Sequence, residues 1–446
     1  MILQFSVSNY RCFHKQQILN FAASGQDKSL PDNCIVTELP GLAGKRWLKG
    51  VALYGANASG KTTILEALES FAELVKNSAR ITDPKEPVPQ IEPFALCPNE
   101  PDSPTAFAVA FAAGGVRYEY RVAATRERIW HESLRAFPKK VEQLWFSRDW
   151  NMESATYTWS PERPTGFQRD SQLEGYTLSN MLFLSKAVAS NRPELEPVFR
   201  WFKEQLQFVD LSARGGLPEG FTLSQIAEQT PLLGKILLLL RYADLGVAAA
   251  KVVERKPPAG ELSQILAQLP AELVEKLRKG KWVEPELTHH GIGGREVSLP
   301  WKSESAGTRR LFSLAGPWLD IMSNGYTVCI DELETSMHPL MVRELLRLFF
   351  SEKENPNGAQ ILFTTHNPLL LDPTLLRRDQ VWLTDKDADG EAHLYPLTDY
   401  SPRKGESLVR GYLSGRYGAV PFVPAGLLGS FPTHETAGTT EKAAND

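Results

Sequence analysis

The stretch Gly55-Ala56-Asn57-Ala58-Ser59-Gly60-Lys61-Thr62 matches the pattern G-x-x-x-x-G-K-[ST], which is typical of a phosphate-binding loop. The apolar run 51–54 before it predicts a buried strand, and Thr63 opens an apolar-periodic helix behind it. In this setting the backbone N–H groups at the helix start bind phosphate oxygens. We expect residues 55–63 to bind a nucleotide, with Lys61 at the terminal phosphates and the Thr62 hydroxyl on Mg²⁺. An accidental match in a strand–helix turn is the alternative, and the flanking pattern argues against it.

Composition and charge restrict the class of protein. The chain has 446 residues, 42% of them hydrophobic and 23% charged, which predicts a folded protein with more than one core or lobe. Its net charge of −4 does not indicate a protein dominated by nucleic-acid binding. The four cysteines form no C-x-x-C pair, which favours reduced structural thiols. We find no signal peptide and no run near the roughly 18 apolar residues of a membrane span, and we therefore predict a cytoplasmic protein without membrane contact.

Two further strands end in residues suited to hydrolysis. The apolar run 327–330 is followed by Asp331 and Glu332, and the run Gln360 to Thr364 is followed by His366. Asp331 is expected to help hold Mg²⁺, and Glu332 to polarise the attacking water. Taken singly, each run also fits a strand followed by a polar loop, and a lone histidine is more often structural. Beside a phosphate loop, they predict a site in which Lys61, Glu332 and His366 are catalytic.

The segment Ser305-Ala306-Gly307-Thr308-Arg309-Arg310 is a second candidate for phosphate binding. It places a hydroxyl and a glycine backbone at a helix start, which attracts anions. The simpler interpretation is an ordinary N-capped helix, with Ser305 or Thr308 as the cap. Because the phosphate loop already has its own helix, we expect Ser305 and Gly307 to contact a nucleotide held by another subunit.

Two other polar segments leave alternatives open. Arg11 lies in the polar turn 9–13 between two β-favouring runs, and it fits either a nucleotide contact or a solvated hairpin arginine. The spacing does not choose between them. His289 and His290 have no cysteine, aspartate or third histidine at ligand spacing, so the sequence favours a flexible loop over a metal site.

The middle of the chain changes from strand-like to helix-like patterns. Two β-favouring runs, Ala106 to Ala112 and Val116 to Val122, flank Gly114-Gly115 and predict a β-hairpin. We expect an antiparallel β-rich lobe from Phe94 to about Pro164. The helical patterns that follow are Ser179 to Ala187, Pro193 to Gln207, Ser224 to Ala227, Leu232 to Ala243 and Leu262 to Lys279. The tail after Pro424 is predicted to be mobile.

Together these motifs resemble the ATP-binding-cassette superfamily, in its chromosome-maintenance and DNA-repair branch. Ser305 to Arg310 resembles the signature motif, Asp331-Glu332 resembles Walker B, Glu334 to Pro339 resembles the D-loop, and His366 resembles the H-loop histidine. Six segments together resemble more closely the stand-alone AAA-family ATP-binding proteins of the RloA and abortive-infection type. They are Phe5 to Arg11, the phosphate loop, Ser303 to Pro317, Asp331 to Pro339, Phe363 to Pro368 and Gly411 to Gly418. The resemblance covers both ends of the chain well and the middle poorly. Gln90 is the candidate that it offers for a Q-loop glutamine at the metal.

The resemblance implies an α/β fold, an ABC-type P-loop NTPase head with a β-rich arm and an inserted helical subdomain. The implied organisation is an N-terminal lobe with Walker A (1–95), a β-rich arm (96–170), a helical insertion (171–296), a C-terminal lobe with the other motifs (297–400) and a C-terminal extension with the tail (401–446). The interval between Lys61 and Ser305 is too short for long coiled-coil arms. Ala58, Ala306 and Thr308 depart from the usual motifs, but the Ser305 hydroxyl and the Gly307 N–H are kept.

For function, the resemblance implies an ATPase that uses ATP and Mg²⁺ in a head-to-tail homodimer or higher homo-oligomer. Relatives of this type act in bacterial anti-phage or abortive-infection systems with a separately encoded effector, often a nuclease. We find no nuclease motif here, so the first hypothesis is a sensor or scaffold for such an effector. The alternative is a DNA-repair or DNA-end ATPase that binds nucleic acid directly. The signature motif argues against a ring motor, and the lack of an Asn-Lys-x-Asp segment argues against a GTPase.

Overall fold

The structure is a computed structural model that describes residues 1–97, 103–162, 165–209, 219–242, 246–254, 283–403 and 405–421. Its strands are β1 (Ile2–Ser8), β2 (Gln17–Asn20), β3 (Cys34–Val36), β4 (Arg46–Leu48), β5 (Gly50–Gly55), β6 (Thr105–Ala113), β7 (Val116–Ala124), β8 (Ile129–Phe137), β9 (Gln143–Asn151), β10 (Thr156–Ser160), β11 (Leu206–Val209), β12 (Val247–Glu254), β13 (Val283–His290), β14 (Glu296–Pro300), β15 (Thr327–Ile330), β16 (Gln360–Thr364), β17 (Val381–Lys386) and β18 (Ala392–Pro396). Its α-helices are α1 (Lys61–Asn77), α2 (Ser171–Gly175), α3 (Phe183–Ala189), α4 (Glu196–Arg200), α5 (Glu219–Ala227), α6 (Leu232–Tyr242), α7 (Ala306–Asn324), α8 (Pro339–Phe350) and α9 (Leu408–Leu413).

A six-stranded sheet carries the strands that the motifs follow. Its order is β11-β15-β16-β5-β17-β18, and every neighbouring pair is parallel except β17 and β18. β5, β15 and β16 are buried at every residue, as expected of parallel strands covered on both faces. Parallel pairing brings their carboxyl ends to one edge, where open α/β sheets place their ligands. The α/β class predicted from the sequence is confirmed.

A seven-stranded antiparallel sheet packs beside α1, in the order β10-β9-β8-β7-β6-β1-β2. The predicted hairpin is confirmed, since Ala113 pairs with Val116 around Gly114 and Gly115, both at positive φ. The sheet also takes in β1, which pairs with β6 and so joins the predicted N-terminal lobe to the predicted arm. Phe71 of α1 stacks on the rings of Phe107 and Tyr120, and this cluster ties the phosphate-loop helix to the sheet.

The region predicted to be helical is only partly so. The helix expected from Pro193 to Gln207 ends early, and Leu206–Val209 instead forms β11 beside β15. This short apolar segment extends the buried sheet, and that tertiary gain outweighs local helix propensity. β12 and β13 lie where 171–296 was expected to be helical, and they form an antiparallel sheet with β14. The predicted helix Leu262 to Lys279 and the tail after Pro424 lie outside the described residues.

Helix α7 joins this region to the motif-bearing sheet. It runs over Ala306–Asn324, close to the predicted Thr308 to Ser323, and α5 and α6 both pack on it. Gly325 ends it in the left-handed conformation that glycine adopts readily. Across the described ranges, no helix is both long and apolar enough to cross a membrane.

Candidate nucleotide site

The phosphate loop connects β5 to α1 and is anchored on β17. The Ser59 hydroxyl lies 2.6 Å from the Thr384 hydroxyl, at the buried end of the loop. A Cβ on Gly55 would lie 2.4 Å from each of these two oxygens, so only glycine fits at this position. Gly60 has φ 106° and Ala58 has φ 59°. Ala58, which stands where glycine is common in such loops, therefore adopts a conformation that glycine takes more easily.

Lys61 begins α1, and its side chain is 5% exposed. Its ammonium donates to the carbonyl oxygens of Gly55 at 3.0 Å and Ala56 at 2.8 Å. An ammonium carries three protons, so one donor remains for a phosphate oxygen. Burial lowers the pKa of Lys61, and the nearby carboxylates of Asp331 and Glu332 oppose this shift.

Thr62 and Asp331 converge from the two motifs. The Thr62 hydroxyl lies 3.1 Å from both carboxylate oxygens of Asp331. A hydroxyl and a carboxylate are the hard oxygen ligands that Mg²⁺ prefers, with water completing its octahedron. The two side chains therefore fit the predicted Mg²⁺, which would neutralise phosphate charge beside Lys61.

Glu332 follows Asp331 in a left-handed turn, with φ 46°. Its backbone N–H donates to the Thr364 hydroxyl at 2.7 Å, and its carboxylate accepts from the Thr335 hydroxyl at 3.1 Å. The residue is exposed, so the carboxylate is open to water. This is the placement that a residue polarising an attacking water requires.

His366 lies just beyond the end of β16. Its backbone N–H donates to the Glu334 carboxylate at 2.6 Å, which joins the predicted H-loop to the predicted D-loop. Burial and the Lys61 charge lower the pKa of His366, while the carboxylates of Glu334 and Glu332 oppose the change. The imidazole is therefore neutral near pH 7, and the positive charge of Lys61 acts on it directly.

Ser305 is the N-cap of α7, which settles the choice between Ser305 and Thr308. Its hydroxyl accepts from the Thr308 N–H at 3.0 Å, and the residue is exposed. A Cβ on Gly307 would lie 3.1 Å from the Ser336 carbonyl oxygen, so the helix start packs closely on the predicted D-loop. Among the described residues, no hydrogen bond or ion pair joins Ser305 or Gly307 to the phosphate loop of the same chain.

Arg11 is paired rather than solvated. Its guanidinium makes two hydrogen bonds to the Glu92 carboxylate, at 2.9 and 3.0 Å, and an ion pair with Glu66 of α1. Hydrogen bonding to Glu92 raises the pKa of Arg11. The arginine thus lies against the phosphate-loop helix, and direct nucleotide contact by Arg11 stays a prediction.

Gln90 lies in the turn between Val88 and Ile91. Arg126 holds this turn through two hydrogen bonds. The Val88 N–H donates to the Arg126 carbonyl at 2.7 Å, and the Arg126 guanidinium donates to the Ile91 carbonyl at 3.2 Å. Over the described ranges, no hydrogen bond joins Gln90 to Asp331. Metal binding by Gln90 stays a prediction.

The sequence interpretation of His289 and His290 as a flexible loop was wrong. Both end strand β13, and the His289 imidazole lies 2.8 Å from the buried carboxylate of Glu304. The glycines after them resemble a loop, but pairing with β14 extends the strand through both histidines. His289 therefore contacts the residue that precedes the N-cap of α7.

A third carboxylate and histidine group lies at the turn between β17 and β18. Side-chain ligand atoms of Asp387, Glu391 and His393 lie within 4.8 Å of one another. They are engaged internally, since Asp387 contacts His393 at 3.0 Å and Glu391 pairs with Lys15 at 3.5 Å. We interpret this group as structural.

Comparison with known families agrees with this geometry. The profile of the family described as "AAA domain, putative AbiEii toxin, Type IV TA system" matches residues 51–372, more than half of the chain. The chain belongs to this AAA domain family. The match spans the phosphate loop, Asp331, Glu332 and His366. No curated protein sequence matches the chain.

Three solved structures that resemble this AAA-domain chain have low sequence identity to it. An SMC head bound to the C-terminal winged-helix domain of ScpA is 12% identical, with a TM-score of 0.40, over 88% of this chain and 96% of that one. The SMC head domain from Thermotoga maritima is 12% identical, with a TM-score of 0.39, over 89% and 98%. CbiO1 from Clostridium perfringens, part of an ABC transporter complex, is 9% identical, with a TM-score of 0.28, over 90% of each chain.

Sequence reasoning missed several residues of the AAA-domain site. Thr364 binds the carboxylate of Asp331 and the backbone of Glu332, while Glu334 binds His366. The sequence held one signal for Thr364, since it is a polar residue directly after the apolar run 361–363. That signal has meaning only once β16 is known to lie beside β15.

Proposed function

We propose that this chain is an ABC-type ATPase that binds ATP with Mg²⁺ and hydrolyses it to ADP and phosphate. The observation that carries the proposal is the convergence of Lys61, the Thr62–Asp331 pair, Glu332 and His366 at one edge of the six-stranded sheet. P-loop enzymes need little more than such positioning and charge stabilisation.

Each group has a role that follows from its position. The α1 N-terminus and Lys61 bind the phosphates, and Thr62 with Asp331 would hold Mg²⁺, which shields phosphate charge when bound. The exposed Glu332 carboxylate accepts a proton from the attacking water. Neutral His366 offers a hydrogen bond at the edge of the site.

We further propose that two copies complete each site head to tail. The exposed N-cap Ser305 and Gly307 supply an anion-binding helix start that the same chain's loop does not use. Two large apolar side chains beside the predicted D-loop and H-loop support a covered face, because Leu340 is 63% exposed and Leu369 is 57% exposed. ATP then favours the closed pair and hydrolysis favours the open one.

A mixing experiment tests this shared site. Lys61→Ala and Ser305→Arg subunits are each expected to be inactive alone. In a mixed pair, one site combines the intact loop of one subunit with the intact Ser305 of its partner. We expect the mixture to hydrolyse ATP well above the sum of the separate variants. A mixture with no gain would exclude sites shared between subunits.

For the biological role, we propose a sensor or scaffold that controls a separately encoded effector in bacterial anti-phage defence. The family description, with its AbiEii-type toxin and type IV toxin–antitoxin system, supports this role. Co-purification of the natively expressed protein with a neighbouring gene product is the expected result. Strong, salt-sensitive stimulation of hydrolysis by DNA without any such partner would favour direct action on nucleic acid instead.

A further inference from the structure

Thr364 joins the two carboxylate residues of the candidate site. It is the last residue of β16, and its side chain is fully buried. Its hydroxyl donates to the Asp331 carboxylate at 2.6 Å and accepts from the Glu332 N–H at 2.7 Å. A threonine hydroxyl has one proton and two lone pairs, so it can make both bonds at once.

The hydrogen bond to Glu332 acts on a residue with an unfavourable backbone conformation. Glu332 has φ 46°, a left-handed conformation that costs a non-glycine residue about 1–3 kcal/mol unless its surroundings hold it. Thr364 holds this turn twice, since its carbonyl also accepts from the Leu333 N–H at 3.2 Å. The orientation of Glu332 therefore depends on the neighbouring strand.

The bond to Asp331 fixes a carboxylate that also faces Thr62. One Asp331 oxygen receives both the Thr364 hydroxyl at 2.6 Å and the Thr62 hydroxyl at 3.1 Å. Without the first bond, the carboxylate keeps its contact with Thr62 but loses the shorter bond from β16 that fixes its orientation. Outer partners of this kind commonly change metal affinity or activity by about 10–100-fold when they are removed.

We propose that the Thr364 hydroxyl is a positioning group, which sets the Asp331 carboxylate for Mg²⁺ and the Glu332 backbone for the attack of water. This inference rests on the proposed ATPase function. Thr364 acts through its two partners, the Asp331 carboxylate and the Glu332 backbone. Its contribution should appear in turnover and in Mg²⁺ dependence, and hardly in the affinity for metal-free ATP.

Three variants separate the hydroxyl from the packing of the side chain. Thr364→Val keeps the shape and removes the hydroxyl, and Thr364→Ser keeps the hydroxyl and removes the methyl group. Thr327→Val is the matched control, because Thr327 starts the adjacent strand β15, is also buried, and has a hydroxyl that finds no hydrogen-bond partner in the described part of the chain.

The measurements are steady-state ATP hydrolysis across Mg²⁺ concentrations, and ATP binding by calorimetry with Mg²⁺ and with EDTA. We expect Thr364→Val to lower kcat by about 10–100-fold and to raise the Mg²⁺ concentration for half-maximal activity. In EDTA its ATP affinity should stay within about threefold of wild type, since phosphate binding by Lys61 is unchanged. Thr364→Ser and Thr327→Val should behave like wild type.

The outcomes separate this inference from the proposed function. A wild-type protein that neither binds nor hydrolyses ATP would contradict the proposed function. An active wild type with a folded Thr364→Val variant of unchanged turnover and Mg²⁺ dependence would overturn the inference alone. Should Thr364→Val not fold, Thr364→Ala is compared with Thr364→Ser, and equal activity of these two variants would also overturn it.

Discussion

The hydroxyl oxygen of Thr62 lies 3.1 Å from both carboxylate oxygens of Asp331, although the two residues are 269 positions apart in the chain. Thr62 is the second residue of α1, which follows β5, and Asp331 follows β15, with β16 between these two strands. Because all three strands are parallel, the hydroxyl and the carboxylate meet at one edge of the sheet. The predictions that follow test this edge and the core that supports it.

Replacing Lys61 should remove nucleotide binding. Lys61→Ala deletes the buried ammonium beside Gly55 and Ala56, and charge-assisted hydrogen bonds of this kind contribute about 1.5–3 kcal/mol each. We expect ATP affinity to fall by about 100-fold or more in calorimetry. Lys76→Ala, at the far end of the same helix, is the control, and unchanged ATP affinity in Lys61→Ala would refute the phosphate-loop assignment.

Removing the charge of Glu332 should uncouple binding from hydrolysis. Glu332→Gln keeps the shape of an exposed side chain but cannot accept a proton from water, so kcat should fall by about 10²–10⁴-fold. ATP binding should persist, and closed dimers should accumulate in light scattering. Glu344→Gln on the surface of α8 is the matched control. Wild-type turnover in Glu332→Gln would remove Glu332 from its proposed role.

A methyl group on Gly55 should disturb the loop directly. Gly55→Ala would place a Cβ 2.4 Å from the Ser59 and Thr384 hydroxyls, and overpacking of this kind costs about 1–3 kcal/mol. We expect a lower melting temperature and weaker ATP binding. Gly234→Ala, in a helix where a Cβ meets nothing within 4 Å, should be neutral or stabilising. Equal behaviour of the two variants would contradict the proposed crowding.

The buried ion pair of Glu132 and Arg148 should be essential for the arm to fold onto α3. Both side chains are fully buried, 2.9 Å apart, and Glu132 also accepts from the Phe183 and Leu184 N–H groups at the start of α3. Arg148→Met leaves that carboxylate uncompensated, at a cost of about 3–5 kcal/mol in denaturant unfolding.

A half-buried arginine on the same strand as Glu132 provides the comparison. Arg135 pairs with Glu142 at 2.9 Å near the surface, so Arg135→Met should cost less than about 1 kcal/mol. Similar losses in the Arg148→Met and Arg135→Met variants would mean that burial does not set the value of the pair.

Acid should weaken the fold partly through His366. Its pKa is lowered from 6.5 in the folded protein by burial and by Lys61, so below that value the unfolded chain binds the proton more readily. The stability that this difference provides is complete above the unfolded pKa of about 6.5, and it is lost as the pH falls from there through the lower pKa of the folded protein. Relative to His366→Gln, wild type should lose stability in denaturant unfolding as the pH falls below about 6.5. Parallel pH profiles for the two proteins would contradict the lowered pKa.

The sequence alone predicted the α/β class, the β-hairpin around Gly114-Gly115, the helix after Ser305 and the residues that line the sheet edge. Each of these features depends on residues close together in the sequence. A glycine-rich loop between a strand and a helix, or two carboxylates after an apolar run, can be recognised from one short segment. The sequence was misleading at 206–207 and at His289 and His290, where pairing with another strand decided the conformation.

Only the tertiary structure could show which side chains hold the predicted site in place. Thr364 becomes the partner of Asp331 and Glu332 because β16 lies beside β15, and Glu334 becomes the partner of His366 for the same reason. Such contacts depend on strand order and register, which no local pattern encodes. The residue types therefore predicted the chemistry of the site. Its geometry was set by packing between strands that are distant in the sequence.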